Sequence, residues 1–317
     1  MTRREPLATA SVVVPTRDRW RFLRQAIDAV LAQEGVDVEV VVVDDGSQDE
    51  SPDRLSQLGD RRLTLIRHDR PLGVAAARNR GIAAARGDWI GLLDDDDLWS
   101  PVKLKTQISA ATAEGAEWAY AASIVVDELR RPLRLSMLPP DPGRVLQKLL
   151  RRNVMPAGSS NVIASARLMR KLGGFDERLH QLADWDLWIR LAAAARPAAC
   201  SEVLVAYTEH SRNMLVQSSH ALIDELDYIE SKHCALCAQA GSRVDRRATW
   251  RWIAWAQRRS GRRGSAVSTY LRAAIAERSP GDLVRAAAAL LGERAMRGVR
   301  SPHGAQLPEL DWLGRYA

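Results

Sequence analysis

The sequence has few cysteines and no long apolar segment. Its 317 residues include three cysteines, Cys200, Cys234 and Cys237, a sparse and odd set that argues against a disulfide framework and favours a reducing compartment. No apolar run approaches the roughly 20 residues that span a bilayer, and the first residues do not resemble a signal peptide. These features predict a cytoplasmic protein.

Two glycine-rich phosphate-binding motifs are also missing. No G-x-G-x-x-G follows the first predicted strand, and no G-x-x-x-x-G-K-[ST] occurs anywhere in the chain. The missing motifs therefore argue against a hydride-transferring dehydrogenase and against a P-loop NTPase.

What is present is a regular alternation of apolar strands and amphipathic helices. Short β-branched runs predict buried strands over 11–15, 38–43, 63–67 and 89–93, with helices over 19–33 and 74–85 between them. This order predicts an α/β fold with a mostly parallel, Rossmann-like sheet that helices cover on both faces. Ligands bind such sheets beyond the carboxyl ends of the strands, so the polar residues that follow each strand should share one crevice.

The second half of the chain continues with mixed elements and ends in helices alone. Helices are predicted over 103–113, 145–152, 166–172 and 184–195, and strands over 118–126, 159–163 and 203–207. After about residue 215 the pattern predicts helices over 221–239, 246–259, 264–276 and 281–296. We therefore expect a first domain over 1–215, divided into halves at about 10–127 and 128–215, and a helical region over 216–317.

Positive charge is concentrated in that helical region. The net charge of the chain is +7, and residues 241–317 alone contain 15 arginines against six acidic residues. An anionic membrane surface, to which the protein would bind peripherally, is one partner that this charge favours. An anionic lipid-linked acceptor, a protein substrate, homo-oligomer contacts and a solvated helix face are the alternatives. No recognised nucleic-acid motif accompanies the arginines.

Four consecutive aspartates, Asp94 to Asp97, follow the strand predicted over 89–93. Hard divalent cations such as Mn²⁺ and Mg²⁺ prefer carboxylate oxygens, and in an extended segment Asp94 and Asp96 would point the same way. Asp95 would then point elsewhere, and Asp97 would begin a helix over 99–104. The alternative is that the whole run only favours a helix N-terminus.

Four segments of the chain, in this order, resemble the family 2 glycosyltransferases, which are inverting enzymes of the GT-A fold. The segments read SVVVPTRDR, VVVDDGSQDES, RPLGVAAARNRGIAAARGDWIGLLDDDDLWSPVKL and GGFDERLHQLADWDLWIRL. The resemblance covers about residues 10–214. It implies a nucleotide-diphosphate sugar donor, with UDP the commonest nucleotide, a Mn²⁺ or Mg²⁺ ion, and an acceptor in a polysaccharide, glycolipid or other glycoconjugate.

The resemblance also implies the donor-site residues. Asp96 and Asp94 match the metal-binding Asp-x-Asp signature, and His210 is a further metal contact. The contacts to the nucleotide sugar are Pro15, Thr16, Arg19, Asp44, Asp45, Arg78, Asp94 and Asp95. A plain Asp-Gly turn is the alternative for Asp44 and Asp45.

The catalytic base should lie in the second half of the first domain. The resemblance places it at Asp184, with Asp186 as the second candidate; a helix N-cap is the alternative role for Asp184. At the position before the base, where the family usually has an acidic residue, this chain has Ala183. Trp185 and Trp188 are candidates to stack on the sugar or acceptor; for Trp188, at helical spacing from Leu191, a position in the core is the alternative. Ser159 to Asn161 are expected to line the acceptor cleft.

Two other functions remain as alternatives. A sugar-1-phosphate nucleotidyltransferase would share the sheet, but it usually has a glycine-rich loop where this chain has PTRDRW. A non-catalytic nucleotide-sugar-binding or interaction module would keep the fold without turnover.

Overall fold

The computed structural model describes residues 7–136, 139–210, 219–259, 261–276, 278–291 and 310–316. By packing, the chain divides into two compact units. The first unit comprises Met1–Leu149, Val154–Glu209 and Leu307–Ala317, and the second comprises Leu150–Asn153 and His210–Gln306. In the described part of the chain, no helix has both the length and the apolar character needed to cross a membrane.

A nine-stranded sheet forms the centre of the first unit. Its strands are β1 Thr9–Thr16, β2 Asp37–Asp44, β3 Leu63–Arg67, β4 Trp89–Leu92, β5 Leu98–Trp99, β6 Trp118–Val126, β7 Pro132–Leu135, β8 Ile163–Ser165 and β9 Ala198–Thr208. They are ordered β3-β2-β1-β4-β8-β6-β9-β5, and β7 pairs with β6. The pairs among β3, β2, β1 and β4 are parallel, as is β6 with β9, while the other pairs are antiparallel. The predicted α/β class is confirmed.

Seven helices accompany this sheet in the described part of the first unit. They are α1 Trp20–Leu31, α2 Ser51–Ser56, α3 Val74–Ala84, α4 Lys103–Glu114, α5 Val145–Leu149, α6 Ala166–Lys171 and α7 Ala183–Ala194. Helix α3 lies very close to β1, because a Cβ atom on Gly81 would be 2.3 Å from Val13 Cγ1. Glycine at this position therefore lets α3 bring Arg78, one turn earlier, towards the end of the sheet.

Two predicted elements of the first unit are different in the structure. The segment predicted as a strand over 159–163 is a 3-10 helix, Gly158–Asn161, and β8 begins only at Ile163. The Asn161 side chain bonds both the N–H and the C=O of Ala121, at 2.7 Å each, and such side-chain bonds compete with a strand ladder. The helix predicted over 99–104 begins at Lys103, because Leu98 and Trp99 pair with β9.

The C-terminal residues belong to the first unit, although the sequence assigned them to the helical region. A 3-10 helix, Asp311–Tyr316, places Leu313 in the core, where its side chain is 5% exposed. Leu310, Trp312 and Tyr316 pack against the same core cluster. Burial of apolar side chains therefore retains this segment on the sheet domain.

The second unit is helical, as predicted. Its described helices are α8 Ser219–Lys232, α9 Cys234–Gln239, α10 Arg246–Arg259, α11 Arg263–Ala276 and α12 Pro280–Leu291. The single helix predicted over 221–239 is interrupted at His233, and residues 292–296 of the last predicted helix lie outside the described residues. A small core of Ala254, Tyr270, Ala286 and Ala289 holds α10, α11 and α12 together.

Candidate active site

The carboxyl ends of three neighbouring strands meet at one edge of the sheet. β1 pairs in parallel with β2, where Thr16 is opposite Asp44, and with β4, where Val13 is opposite Leu92. The chain continues from these strands into the segments TRDR, DDGS and DDDD. The predicted convergence of these polar segments at one edge of the sheet is therefore confirmed.

The acidic run is a turn rather than an extended segment. Asp97 N–H donates to the Asp94 carbonyl at 3.1 Å, so Asp95 and Asp96 occupy the two central positions of the turn. The expected alternation therefore fails, and the prediction that Asp95 points elsewhere is wrong. Asp95 instead accepts the Thr16 hydroxyl at 2.7 Å and Arg19 Nη1 at 3.2 Å.

Arg19 links the two central carboxylates. Its Nη1 also lies 2.8 Å from Asp96 Oδ2, and the Asp95 and Asp96 side chains are only 6% and 8% exposed. Burial and the neighbouring Asp96 charge raise the pKa of Asp95 to about 7, although Arg19 and the Thr16 hydroxyl oppose this shift. Burial therefore disfavours the ionised form of Asp95, and positive charge near the turn would favour that form.

A second arginine approaches the turn from α3. Arg78 Nη2 donates to Asp94 Oδ1 at 2.5 Å, and the guanidinium lies over the Phe175 ring, 5.1 Å from its centroid. Arg78 Nε is buried and has no hydrogen-bond partner among the described residues. An acceptor such as a phosphate oxygen would satisfy that group.

Asn79, in the RNRG segment, binds the backbone of the GGFDE segment. Phe175 N–H donates to Asn79 Oδ1 at 2.7 Å, and Asn79 Nδ2 donates to the Phe175 carbonyl at 3.0 Å. This reciprocal pair fixes Phe175, whose ring lies under Arg78. The GGFDE segment is therefore part of the support of Arg78.

Asp97 is a buried anchor, so the prediction that it begins a helix is wrong. It is fully buried, and it accepts the Ser160 hydroxyl at 2.5 Å and the Thr208 N–H at 2.8 Å. Burial and the charges of Asp96 and Asp94 raise the pKa of Asp97 well above its usual range. These bonds attach the end of the turn to β9 and to the 3-10 helix Gly158–Asn161.

The same contacts correct the role expected for Ser160 and Asn161. Both side chains are fully buried. The Ser160 hydroxyl donates to Asp97, and Asn161 forms hydrogen bonds with the backbone of Ala121. They support the sheet from within and do not line an acceptor cleft.

Asp44 and Asp45 have different surroundings. Asp45 accepts the N–H groups of Leu72 and Gly73 at 2.8 and 2.9 Å and contacts His68 Nδ1 at 2.8 Å, so it organises the loop before α3. Asp44 accepts the Ser47 N–H at 3.0 Å, as an Asp-Gly turn would. Its buried Oδ2 lies 3.3 Å from Arg67 Nε but accepts no hydrogen bond from any described residue. Asp44 is therefore the member of the pair with unused acceptor capacity.

Asp94 and Asp96 offer oxygen ligands to a cation, but they do not form a complete cage. Among the residues that the structure places, no three His, Cys, Asp or Glu side chains group as a metal site. Mg²⁺ is commonly held by one or two carboxylates together with substrate phosphates and water. The donor set therefore fits a cation that enters with a diphosphate.

The two candidate bases lie in the first turn of α7 and differ sharply. Asp186 is fully buried and forms an ion pair with Arg190 Nε at 2.8 Å, which makes it a structural residue. The second candidate is therefore wrong. Asp184 is half-buried and accepts the Trp185 N–H at 2.7 Å, while the helix N-cap is Leu182. A Cβ atom on Gly158 would lie 3.3 Å from Asp184 Oδ2, so this glycine leaves space beside the carboxylate.

Trp185 and Trp188 belong to the core. Their side chains are 1% and 0% exposed, and Trp185 Nε1 donates to the Leu149 carbonyl at 2.7 Å. A fully buried ring has no face for a sugar, so the stacking role is wrong for both, and the alternative position of Trp188 in the core is confirmed. His210 is half-buried and belongs to the second unit, and its metal role stays a prediction.

Arg130, which the sequence did not indicate as a site residue, is a buried arginine that contacts the backbone of the acidic turn. Its Nη1 lies 3.4 Å from the Asp96 carbonyl and 2.5 Å from Thr208 Oγ1. It lies in the segment ELRRPL next to the exposed Arg131, and no pattern in the sequence distinguishes the two arginines.

The chain is similar in sequence to two bacterial proteins over part of its length. The chain is 49% identical over 111 residues to the succinoglycan biosynthesis protein ExoO of Rhizobium meliloti, a match covering 35% of this chain and 32% of that one. It is 31% identical over 110 residues to the Escherichia coli UDP-Glc:alpha-D-GlcNAc-diphosphoundecaprenol beta-1,3-glucosyltransferase WfgD, covering 35% and 44%. The matches thus span a third to under half of these relatives.

A solved structure and a family model extend the comparison. The fold matches S. aureus TarS 1-349 in complex with UDP-GlcNAc with a TM-score of 0.54 at 18% identity, covering 67% of this chain and 60% of that one. This likeness confirms the predicted GT-A fold. The model of glycosyl transferase family 2 matches residues 11–173, about half of the chain, and includes the three strand-end segments and the Asp97 anchor. The chain therefore belongs to glycosyl transferase family 2.

Proposed function

We propose that the protein is an inverting, metal-dependent glycosyltransferase that moves a sugar from a nucleotide-diphosphate sugar to an acceptor hydroxyl. The observation that carries this proposal is the joint position of Arg19 and Arg78 on the acidic turn. These arginines and carboxylates come from three elements and are the groups that a diphosphate with its cation needs.

The donor is a UDP-sugar in this proposal. The base and ribose would lie beside Pro15 and Thr16 at the end of β1, next to Asp44. Asp44 Oδ2 is buried without a hydrogen bond from a described residue, so it would accept one from the nucleotide only after Arg67, which lies 3.3 Å away, moves aside. TarS, whose fold is similar, has been solved with UDP and with UDP-GlcNAc. The Arg78 Nε and the Arg19 guanidinium would then bind the diphosphate oxygens.

Asp94 and Asp96 would hold Mn²⁺ or Mg²⁺ together with that diphosphate. When bound, the cation would neutralise the charge that develops on the departing diphosphate. Arg19 and Arg78 already neutralise part of the negative charge of the acidic turn. They would therefore hold the turn in position before the donor binds.

Asp184 is the proposed base. It is partly accessible and lies in the first turn of α7, whereas the nearby Asp186 is committed to Arg190. In an inverting transfer the base removes the proton of the acceptor hydroxyl while its oxygen attacks the anomeric carbon in line. The space that Gly158 leaves beside Asp184 Oδ2 would admit that hydroxyl.

We further propose a glycan acceptor in polysaccharide or related glycoconjugate biosynthesis, carried on a lipid diphosphate. The names of ExoO and WfgD support this class, since one names succinoglycan biosynthesis and the other a diphosphoundecaprenol acceptor. The second unit would contact an anionic membrane, because Leu271 and Ile275 on α11 are exposed beside the exposed Arg272.

Turnover with a panel of sugar nucleotides in Mn²⁺ or Mg²⁺ tests the proposal. The wild-type chain should release nucleoside diphosphate, and Asp184→Asn should lose turnover by at least about 100-fold while still binding the nucleotide, because general-base catalysis typically supplies about 10²–10⁴-fold. Asp60→Asn is the matched control. Asp60 precedes β3 at the opposite, amino edge of the sheet and pairs with Arg62. The turnover of the Asp60→Asn variant should therefore equal that of the wild type.

Two results would contradict specific parts of the proposal. Full turnover by Asp184→Asn would remove the base assignment. Release of pyrophosphate instead of nucleoside diphosphate would show a nucleotidyltransferase.

A further inference from the structure

Arg130 lies in the turn between β6 and β7 with an unfavourable backbone conformation. Arg130 N–H donates to the Asp127 carbonyl, and Asp127 N–H donates to the Arg131 carbonyl, both at 3.0 Å, which closes the hairpin. The φ angle of Arg130 is +64°, in the left-handed region that favours glycine. The turn by itself would therefore prefer glycine, so a side-chain contact must compensate for the arginine.

That side chain is buried behind the acidic turn. Arg130 is 4% exposed, and its guanidinium donates to Thr208 Oγ1, to Gln25 Oε1 and, at 3.4 Å, to the Asp96 carbonyl. Burial works against its charge, whereas Asp97 and Asp96 favour it, and the balance lowers the pKa of Arg130. A buried guanidinium is tolerated only with such partners.

These contacts connect the backbone of Asp96 with Thr208, the residue of β9 that binds Asp97. Thr208, whose hydroxyl Arg130 contacts, donates its N–H to Asp97 Oδ1 at 2.8 Å. Arg130 thus holds the Asp96 backbone directly and Asp97 through Thr208. Arg19 and Arg78 bind the carboxylates of the same turn, so three arginines surround its four aspartates.

We propose that Arg130 is a positioning residue, which holds the acidic turn in the conformation that presents Asp94 and Asp96 to the cation and diphosphate. The role in cation binding rests on the proposed function, but the effect on the turn does not. Arg130 contacts the turn through a backbone carbonyl, so it acts on the reacting groups only through Asp96 and Asp97.

Hydrogen exchange of the metal-free full chain tests the effect on the turn. In Arg130→Met, peptides covering residues 94–98 and 208 should exchange at least about 10-fold faster, because opening of the turn exposes these amides. Arg131→Met is the matched control: it removes an arginine from the same hairpin, but the Arg131 side chain is 72% exposed and forms its ion pair with Asp127 instead of the acidic turn. Arg130→Gly removes the same side chain and relieves the backbone, so it should also accelerate exchange even if Arg130→Met folds poorly.

The dependence of turnover on Mn²⁺ separates positioning from simple structural support. Loss of a residue that orients metal ligands typically costs about 10- to 100-fold in metal affinity. Arg130→Met should therefore raise the Mn²⁺ concentration for half-maximal rate by this factor, with a small change of kcat at saturating Mn²⁺. Arg130→Lys should recover part of the affinity, since it keeps the charge but not the planar guanidinium that makes all three contacts.

The two kinds of failure are distinguishable. Unchanged exchange in both Arg130→Met and Arg130→Gly, or equal acceleration in Arg131→Met, overturns the role of Arg130 whatever the enzyme does. Accelerated exchange with an unchanged Mn²⁺ requirement also overturns it, because the side chain would then support only the fold. A wild-type chain without turnover contradicts the proposed function, and the exchange result still decides whether Arg130 holds the turn.

Discussion

Replacing Asp97 with alanine should destabilise the first unit by much more than the loss of a helix cap. The substitution leaves the Ser160 hydroxyl and the Thr208 N–H, which Asp97 accepts at 2.5 and 2.8 Å, without their partner in a buried site. A buried donor without a partner costs about 1–3 kcal/mol. The Ser160 hydroxyl can rotate and the buried negative charge disappears, so we expect a net loss of about 2–4 kcal/mol.

The measurement is the free energy of unfolding in urea, with a chelator present and tryptophan fluorescence as the signal. Asp141→Ala is the matched control, because the exposed Asp141 caps a short 3-10 helix by accepting the Gly143 N–H at 3.0 Å. Loss of an N-cap typically costs about 1 kcal/mol. Asp97→Asn, which keeps one acceptor oxygen and loses the charge, should fall between the two.

One result would refute this reasoning. If Asp97→Ala costs no more than Asp141→Ala, Asp97 is not an anchor of the turn, and its acidic charge matters only as it would at a helix N-terminus.

Two further predictions concern the loop before α3 and the second unit. Burial opposes the charge of Asp45, but bonds from Leu72, His68 and Gly73 hold its pKa below the usual value. This stabilisation is present above the pKa of an unfolded aspartate, about 3.9. It is lost as the pH falls through the lower folded pKa, so the melting temperatures of wild type and Asp45→Asn should converge as the pH is lowered through that range. A constant difference would contradict the shift. The full chain should also co-sediment with anionic vesicles at low salt and dissociate at high salt, and less of it should bind after Ile275→Asp, whose side chain is 77% exposed in the wild type. Absence of binding at low salt would contradict the membrane contact.

The sequence was sufficient to predict which polar segments meet at one edge of the sheet. Buried β-branched strands in regular alternation with helices predict a parallel sheet, and parallel strands end at one edge. The meeting of Thr16, Asp44 and Asp94 at this edge follows from that rule alone. The helical spacing of apolar residues in α1 and the Ala-rich composition of α3 likewise predict the positions of these helices within a few residues.

The roles of the tryptophans and of Asp186 were harder to predict. Trp185 and Trp188 follow an acidic residue in a motif-like segment, but burial depends on what packs around α7. Asp186 and Arg190 are four residues apart, a helical spacing that favours an ion pair between them. That ion pair argues against Asp186 as the base.

The amino-acid sequence by itself determined the chemistry available at the sheet edge: four carboxylates, the arginines near them and the strands that bring them together. Only the tertiary structure decided how the four aspartates divide. The run turns instead of extending, so Arg19 reaches Asp95 and Asp96 together. Asp97 is occupied by Ser160 and Thr208, which lie 63 and 111 residues away in the chain. Contacts over such separations depend on how β9 and the 3-10 helix Gly158–Asn161 pack beside β4, and local sequence patterns contain no record of that packing.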